Sequence, residues 1–242
     1  MKISIFLFIL SVLLSVTGCD SPTDTSSGSL VTFSARTIIQ PVTARTSARL
    51  MSAAGPDSIR LSRVRILLRD IRFDRDSDSV EYRTLPIVLD LQITSALQNI
   101  LVGSLPDGNY RRVRFRVHRI EDEDLRNVSP AMRPVYNDFL AGDRYSIIAE
   151  GTVFAGGSAI GESFVYRSRI NEEQEREFTS ALAISGGSPA TVTMTLDTGT
   201  WFSDGSGGLL DPRAGENSNS IDDRIKTSID VFEDNDRNGY DD

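Results

Sequence analysis

The sequence predicts an all-β fold, an antiparallel β-sandwich with a short C-terminal helix and an acidic terminal loop. Period-two alternation is the first reason. Val113, Phe115 and Val117 alternate with Arg112, Arg114, Arg116 and His118, the mark of a half-buried strand. The second is punctuation: Gly-, Pro-, Asp- and Ser-rich turns separate the runs at 74–79, 106–109, 155–158 and 186–189. The third is composition. At 39% hydrophobic and 25% charged, the 242-residue chain is globular, long enough for one large domain or two small ones.

The candidate strands are 30–38, 63–73, 80–85, 87–91, 110–120, 145–154, 159–169, 177–184 and 191–196. In the second, Val64, Ile66 and Leu68 alternate with Arg63, Arg65 and Arg69, and the phase then slips to Ile71 and Phe73. Such a slip implies a bulge or bend. Gly156-Gly157 between two alternating runs reads as a hairpin. Val192, Met194 and Leu196 alternate with Thr191, Thr193 and Thr195. Two segments break the pattern. Residues 121–144 read as a long polar loop with a short helix on one edge, with Met132, Val135 and Phe139 at helical spacing. Residues 218–232 read as the better helix: Ile221, Ile225, Ile229 and Phe232 form one stripe, Ser220 is the N-cap, and Asp222 and Asp223 lie in the first turn.

Before the strands comes a different kind of segment. Lys2 precedes a run from 3 to 16 of Ile, Phe, Leu and Val, broken by Ser4, Ser11 and Ser15. As a helix it spans about 21 Å at ~1.5 Å per residue. That is short of a hydrocarbon core about 30 Å thick, so the run reads as a signal peptide. It ends in Val16-Thr17-Gly18-Cys19, which resembles the bacterial lipobox. The resemblance implies cleavage before Cys19 and a diacylglycerol on its thiol. It also places the chain in the bacterial cell envelope, anchored to the inner or outer membrane, with its domain in the periplasm or on the cell surface. The competing reading is an ordinary signal peptide with a coincidental Cys. Residues 20–29 hold no large apolar side chain and read as a tether. The expected division is thus a signal peptide at 1–18, a lipidated tether at 19–29, a sandwich at 30–200 and a C-terminal extension at 201–242.

Losing residues 1–18 removes one Lys and no acid, which leaves 25 basic against 34 acidic residues, a net −9. That charge argues against nucleic acid, whose phosphates demand cations. With one Cys in the chain, no intramolecular disulfide can form.

A further resemblance rests on Leu89-Asp90-Leu91, followed by Leu105-Pro106-Asp107-Gly108-Asn109-Tyr110 and an Arg- and Val-rich strand. Residues 60–120 are similar to uncharacterised bacterial lipoprotein domains of the transthyretin-like and carboxypeptidase-regulatory-like kind. The resemblance implies an immunoglobulin-like or transthyretin-like sandwich and no activity.

The last nine residues carry the most specific chemistry. Asp234, Asp236 and Asn238 take the first, third and fifth places of a D-x-D-x-N-G loop. Gly239 falls at the sixth, Tyr240 would offer a backbone carbonyl at the seventh, and Asp242 falls at the ninth. All-oxygen ligands at this spacing point to Ca²⁺. The loop resembles EF-hand and dockerin calcium loops, but their twelfth-position Glu has no counterpart here. The plainer reading is a solvated acidic tail. Asp74, Asp76 and Asp78 also repeat every second residue but lack the Gly, and read as a hairpin loop.

No catalytic constellation stands out. His118 is the only histidine and falls on a polar strand face. Asp204-Gly205-Ser206-Gly207-Gly208 reads as a loop rather than a nucleophile elbow. The stripe Arg112, Arg114 and Arg116, with Arg63, Arg65 and Arg69 nearby, is either a face for an anionic partner or one half of a set of cross-strand ion pairs. Trp201 and Phe202 form either a sugar-stacking platform or a plug in the sandwich. The expectation is a non-catalytic envelope lipoprotein, structural or adhesive, that binds a protein or glycan. The alternatives are a carbohydrate-binding module and a hydrolase with an unrecognised carboxylate site.

Overall fold

The computed structural model describes residues 29–38, 42–43, 55–75, 79–80, 85–94, 96–185, 190–234 and 236–240. The signal-peptide segment, Cys19, the tether up to residue 28 and Asp242 lie outside the described residues.

Among the described residues twelve strands form two sheets, as an all-β sandwich requires. They are β1 (Ser29–Ile38), β2 (Val42–Thr43), β3 (Pro56–Arg75), β4 (Ser79–Val80), β5 (Ile87–Gln92), β6 (Gln98–Leu105), β7 (Gly108–Val117), β8 (Ile147–Ala155), β9 (Glu162–Ser168), β10 (Glu172–Ile184), β11 (Ala190–Asp197) and β12 (Ile229–Glu233). Sheet A has the order β12-β11-β1-β6. Sheet B runs β10-β7-β3-β8-β9, with β2, β4 and β5 also paired to the long β3. Among the described residues every pairing is antiparallel except β1 with β11, which run parallel from Val31↔Ala190 to Ile38↔Asp197.

The core lies between the sheets. Phe33 of sheet A meets Phe115 of sheet B edge to face, with ring centroids 6.2 Å apart. Val113, Phe115 and Val117 point inward, as their alternation predicts, and are fully buried. The Pro106-Asp107 turn does not close a hairpin. It carries the chain from β6 in sheet A to β7 in sheet B. Tyr110 fixes that crossing, its hydroxyl donating to the Pro106 carbonyl at 2.8 Å.

The phase slip in β3 is a bulge. Its register against β7 shifts between Arg69 and Arg72, and Asp70 takes a left-handed φ of 51°. Leu67, one residue out of phase with buried Ile66 and Leu68, faces the far side of sheet B. There it joins Ile148, Ile120, Val128, Tyr136 and Phe139 in a second, smaller core. The cover is the 121–144 excursion, which contains α1 (Asp122–Asn127), a 3₁₀ turn (Arg133–Tyr136) and α2 (Asn137–Leu140). The excursion therefore packs on a sheet face, where the sequence suggested an edge.

The C-terminal helix is shorter than its stripe implies. Helix α3 runs Ser218–Thr227 from Asn217, which places Ser220 inside the helix and Asp222 and Asp223 beyond its first turn. Ile221 and Ile225 are buried in the main core. Ser228 closes the helix, its backbone N–H donating to Ile225. The chain then turns into β12, which pairs with β11 from Leu196↔Ile229 to Val192↔Glu233. Ile229-Asp230-Val231 suits a strand and a helix almost equally by pattern, and the open flank of β11 decides between them. Segment 201–240 thus supplies an edge strand of sheet A and part of the core. Arg176 of β10 joins β12 across the gap between sheets, bonding Asp230 at 3.0 Å and the Ile229 carbonyl at 3.1 Å.

Backbone approaches closely at Gly151 in β8. A Cβ there would lie 2.3 Å from the Arg60 carbonyl oxygen and 2.8 Å from the Phe164 ring. Gly151→Ala is expected to cost about 1–3 kcal/mol, the range for overpacking, read as a lower urea midpoint. An unchanged midpoint would mean the β3–β8 ladder relaxes freely.

Candidate functional site

The C-terminal loop begins where β12 ends. Asp234 is fully buried, and its backbone N–H donates to Thr191, extending the β11–β12 ladder by one bond. Its Oδ2 accepts from the Thr193 hydroxyl at 2.7 Å and from the Gly239 N–H at 3.0 Å. The second bond places the carboxylate inside the loop, joining its first position to its sixth. Among the described residues nothing hydrogen-bonds Asp234 Oδ1.

The loop around it is tightly wound. Arg237 N–H donates to the Asp234 carbonyl, with Arg237 at φ 58° and Gly239 at φ 81°. Gly239 suits the turn through its φ, a conformation that other residues rarely adopt. Asp236 Oδ1 accepts from Asn238 N–H and Asn238 Oδ1 from Tyr240 N–H, at 3.0 and 2.7 Å. These oxygens keep further lone pairs. Two contacts pin the loop to the outer face of sheet A. Arg237 Nε donates to Thr191 Oγ1 at 3.1 Å, and Arg36 lies over the Tyr240 ring, 4.2 Å from its centroid. The structure thus brings Asp234, Asp236, Asn238 and Tyr240 together in one turn. Among the described residues, no three His, Cys, Asp or Glu side chains gather closely enough to hold a metal. The donors this turn offers are two carboxylates, one amide oxygen and backbone carbonyls. Thr191, Thr193 and Arg36, which brace the loop, carried no sequence signal for that role.

The arginine stripe has its partners in β10 and β3. Arg116, Arg114 and Arg112 of β7 stand opposite Glu173, Glu175 and Glu177. Arg112 pairs with Glu175 at 2.9 Å and Glu177 at 3.1 Å, and Arg116 with Glu173 at 3.4 Å. Arg114 bonds Asp74 at 2.9 Å, and that hydrogen bond raises the guanidinium pKa further. The neighbours behave alike: Arg65 pairs with Asp138 and Glu150, Arg69 with Asp124, and Arg63 with Asp90. The Arg63 hydrogen bond holds the Asp90 carboxyl below its ordinary range. The stripe is therefore one half of a two-sided ion-pair ladder. Glu175→Lys would set a cation opposite Arg114 and remove a partner of Arg112. It is expected to cost about 1 kcal/mol, near the top of the range for cross-strand pairs. The loss should shrink in 1 M salt, where screening reaches about 3 Å; a salt-independent loss would contradict the ladder.

A cleft of about 470 Å³ opens beside the β3 bulge, lined by Arg69, Asp70, Arg72, Arg116, Pro86 and Asp124 among others. Its walls balance arginines against carboxylates.

Trp201 is a plug, not a platform. It is fully buried, its indole N–H donates to Ser228 Oγ at 2.7 Å, and it offers no ring face to a sugar. His118 is tied into the ladder's end: its Nδ1 lies 2.6 Å from the Arg119 carbonyl and 3.0 Å from an Arg69 nitrogen. Among the described residues, no helix is long and apolar enough to cross a membrane.

Comparison with known proteins returns no match: no family model, no curated protein and no solved structure corresponds to this chain.

Proposed function

We propose that this chain is a lipid-anchored protein of the bacterial cell envelope, attached through Cys19. In this reading its sandwich is a non-catalytic binding domain for a protein or glycan, and its C-terminal loop holds Ca²⁺. One observation carries the calcium reading: a buried carboxylate, Asp234, with one oxygen bonded inside the loop and the other lacking a hydrogen bond among the described residues. Uncompensated burial of a carboxylate costs on the order of several kcal/mol. A divalent cation supplies that compensation. Asp234, Asp236 and Asn238 side chains with the Tyr240 carbonyl would hold it, and Asp242 stands at the ninth place. Oxygen donors without His or Cys favour Ca²⁺ over transition metals. The ion's role would be structural, neutralising Asp234 and tying the loop to sheet A. Val16-Thr17-Gly18-Cys19 supports the anchor, and the 470 Å³ cleft offers a partner a concave, charge-balanced surface.

Thermal melts of the full chain in Ca²⁺ and in chelator test the loop. Free Ca²⁺ at 100 times its Kd would add about 2.7 kcal/mol. For a domain of this size each kcal/mol raises Tm by about 2–4 °C. Identical midpoints would reject the site. Mass spectrometry of native protein tests the anchor: a free, unacylated thiol at Cys19 would reject it.

A further inference from the structure

Two bonds hold the Asp234 carboxylate and one its backbone N–H, and two of the three come from β11. Thr193 Oγ1 and Gly239 N–H both donate to Oδ2, while Asp234 N–H donates to the Thr191 carbonyl. Thr193 is itself fully buried. Its register partners are Ser34 of β1 and Phe232 of β12, so its hydroxyl sits in the middle of sheet A rather than on a mobile loop. By occupying Oδ2, the two donors leave Oδ1 as the oxygen without a hydrogen bond among the described residues.

We infer that Thr193 is the positioning residue of the calcium loop, and that through it cation binding is coupled to the pairing of β12 with β11. The inference rests on the calcium reading proposed above. The physical reason is orientation. A carboxylate rotates about its Cβ–Cγ bond, and a cation site needs one oxygen held toward the ion. Gly239 alone cannot do this, because it moves with the loop. Thr193 moves with the sheet. The outer hydrogen bonds of metal ligands act in this way, and their loss typically lowers metal affinity by about 10–100-fold. Coupling follows from the same bonds. Asp234 immediately follows the last residue of β12, so an ion that draws on Asp234 also draws β12 against β11.

The test is calorimetric titration of the full chain in detergent with Ca²⁺ alone, for wild type, Thr193→Val, Thr193→Ala and Thr193→Ser. Amide hydrogen exchange of β12 is followed in Ca²⁺ and in chelator. Wild type and Thr193→Ser are expected to bind with similar Kd. Thr193→Val is expected to bind at least about tenfold more weakly while keeping the wild-type circular dichroism spectrum. Thr193→Ala takes its place if the valine variant does not fold. β12 amides are expected to exchange more slowly in Ca²⁺ in the wild type, and to lose most of that difference in Thr193→Val. Equal or tighter binding by the hydroxyl-less variants, with wild type binding, overturns the role of Thr193 and leaves the calcium site standing. Absence of binding by the wild type overturns both.

Discussion

Trp201→Ala is expected to lower the stability of the fold by about 3–5 kcal/mol, the range for removing a large aromatic from a packed core. The ring is fully buried and belongs to the main core alongside Phe202, Ile221 and Ile225. Phe202 in turn stacks edge to face on Phe164 and Tyr166, at 5.7 and 6.3 Å. The indole N–H adds a polar tie. It donates to Ser228 Oγ, which itself donates to the Ile225 carbonyl at the end of α3. That chain joins the turn after β11 to the junction of α3 and β12. Trp201→Phe keeps most of the volume and loses the tie, so its cost should be smaller, about 1–3 kcal/mol for an unsatisfied buried partner. Urea denaturation followed by circular dichroism measures both. A loss under about 1 kcal/mol for the alanine variant would mean the ring is not core. Because Trp201 is the only tryptophan, wild-type emission should be that of a buried indole and should not shift when sugars are added.

The strands with clean alternation are legible in the sequence because one physical rule, inward-apolar and outward-polar, governs each of them. The runs around Val113, Val192 and Val64 become β7, β11 and the middle of β3. What escapes is set by partners distant in sequence. Gln98–Leu105 has no clean period, and it is a strand because β1 lies beside it. Ile229 fits the helical stripe of Ile221 and Ile225 and the alternation of β12 alike, and only the unfilled side of β11 separates the two. The ion-pair ladder is half legible. Arg112, Arg114 and Arg116 stand out as a stripe, yet the apolar pattern marks the strand beside them only from 177, whereas β10 begins at Glu172. Glu173, Glu175 and Glu177 repeat with the same period and opposite sign. Matching the two charge alternations pairs β7 with β10 and accounts for Arg112 and Arg116, while Arg114 finds Asp74 of β3. At the C-terminus the loop's own spacing is legible because Asp, Asp, Asn and Gly each have a local geometric duty. Its supports are not, since Thr191 and Thr193 look like any polar face of a strand. Their hydroxyls acquire meaning only when Asp234 is laid over them.

Asp234→Asn separates a cation ligand from a merely structural carboxylate, because the two roles predict opposite orders of stability. The amide keeps an oxygen that can accept from Thr193 and Gly239 and discards the charge. Without Ca²⁺, wild type carries a fully buried carboxylate with one oxygen lacking a hydrogen bond among the described residues. Removing that charge should leave the midpoint equal to the wild type or higher, because a buried carboxylate with only one oxygen hydrogen-bonded among the described residues is worse than a neutral group of the same shape. With saturating Ca²⁺ the order reverses. The wild type rises by about 5–10 °C if the ion is present at 100 times its Kd, and the variant stays where it was. Asp236→Asn should lose only part of the shift, since Asp236 is exposed and carries no burial cost to relieve. A purely structural Asp234 makes a different pattern: the variant would melt below the wild type by the same margin in Ca²⁺ and in chelator. That result would return the terminal loop to an acidic tail, with its turn held by its own hydrogen bonds and by its contacts with Thr191, Thr193 and Arg36.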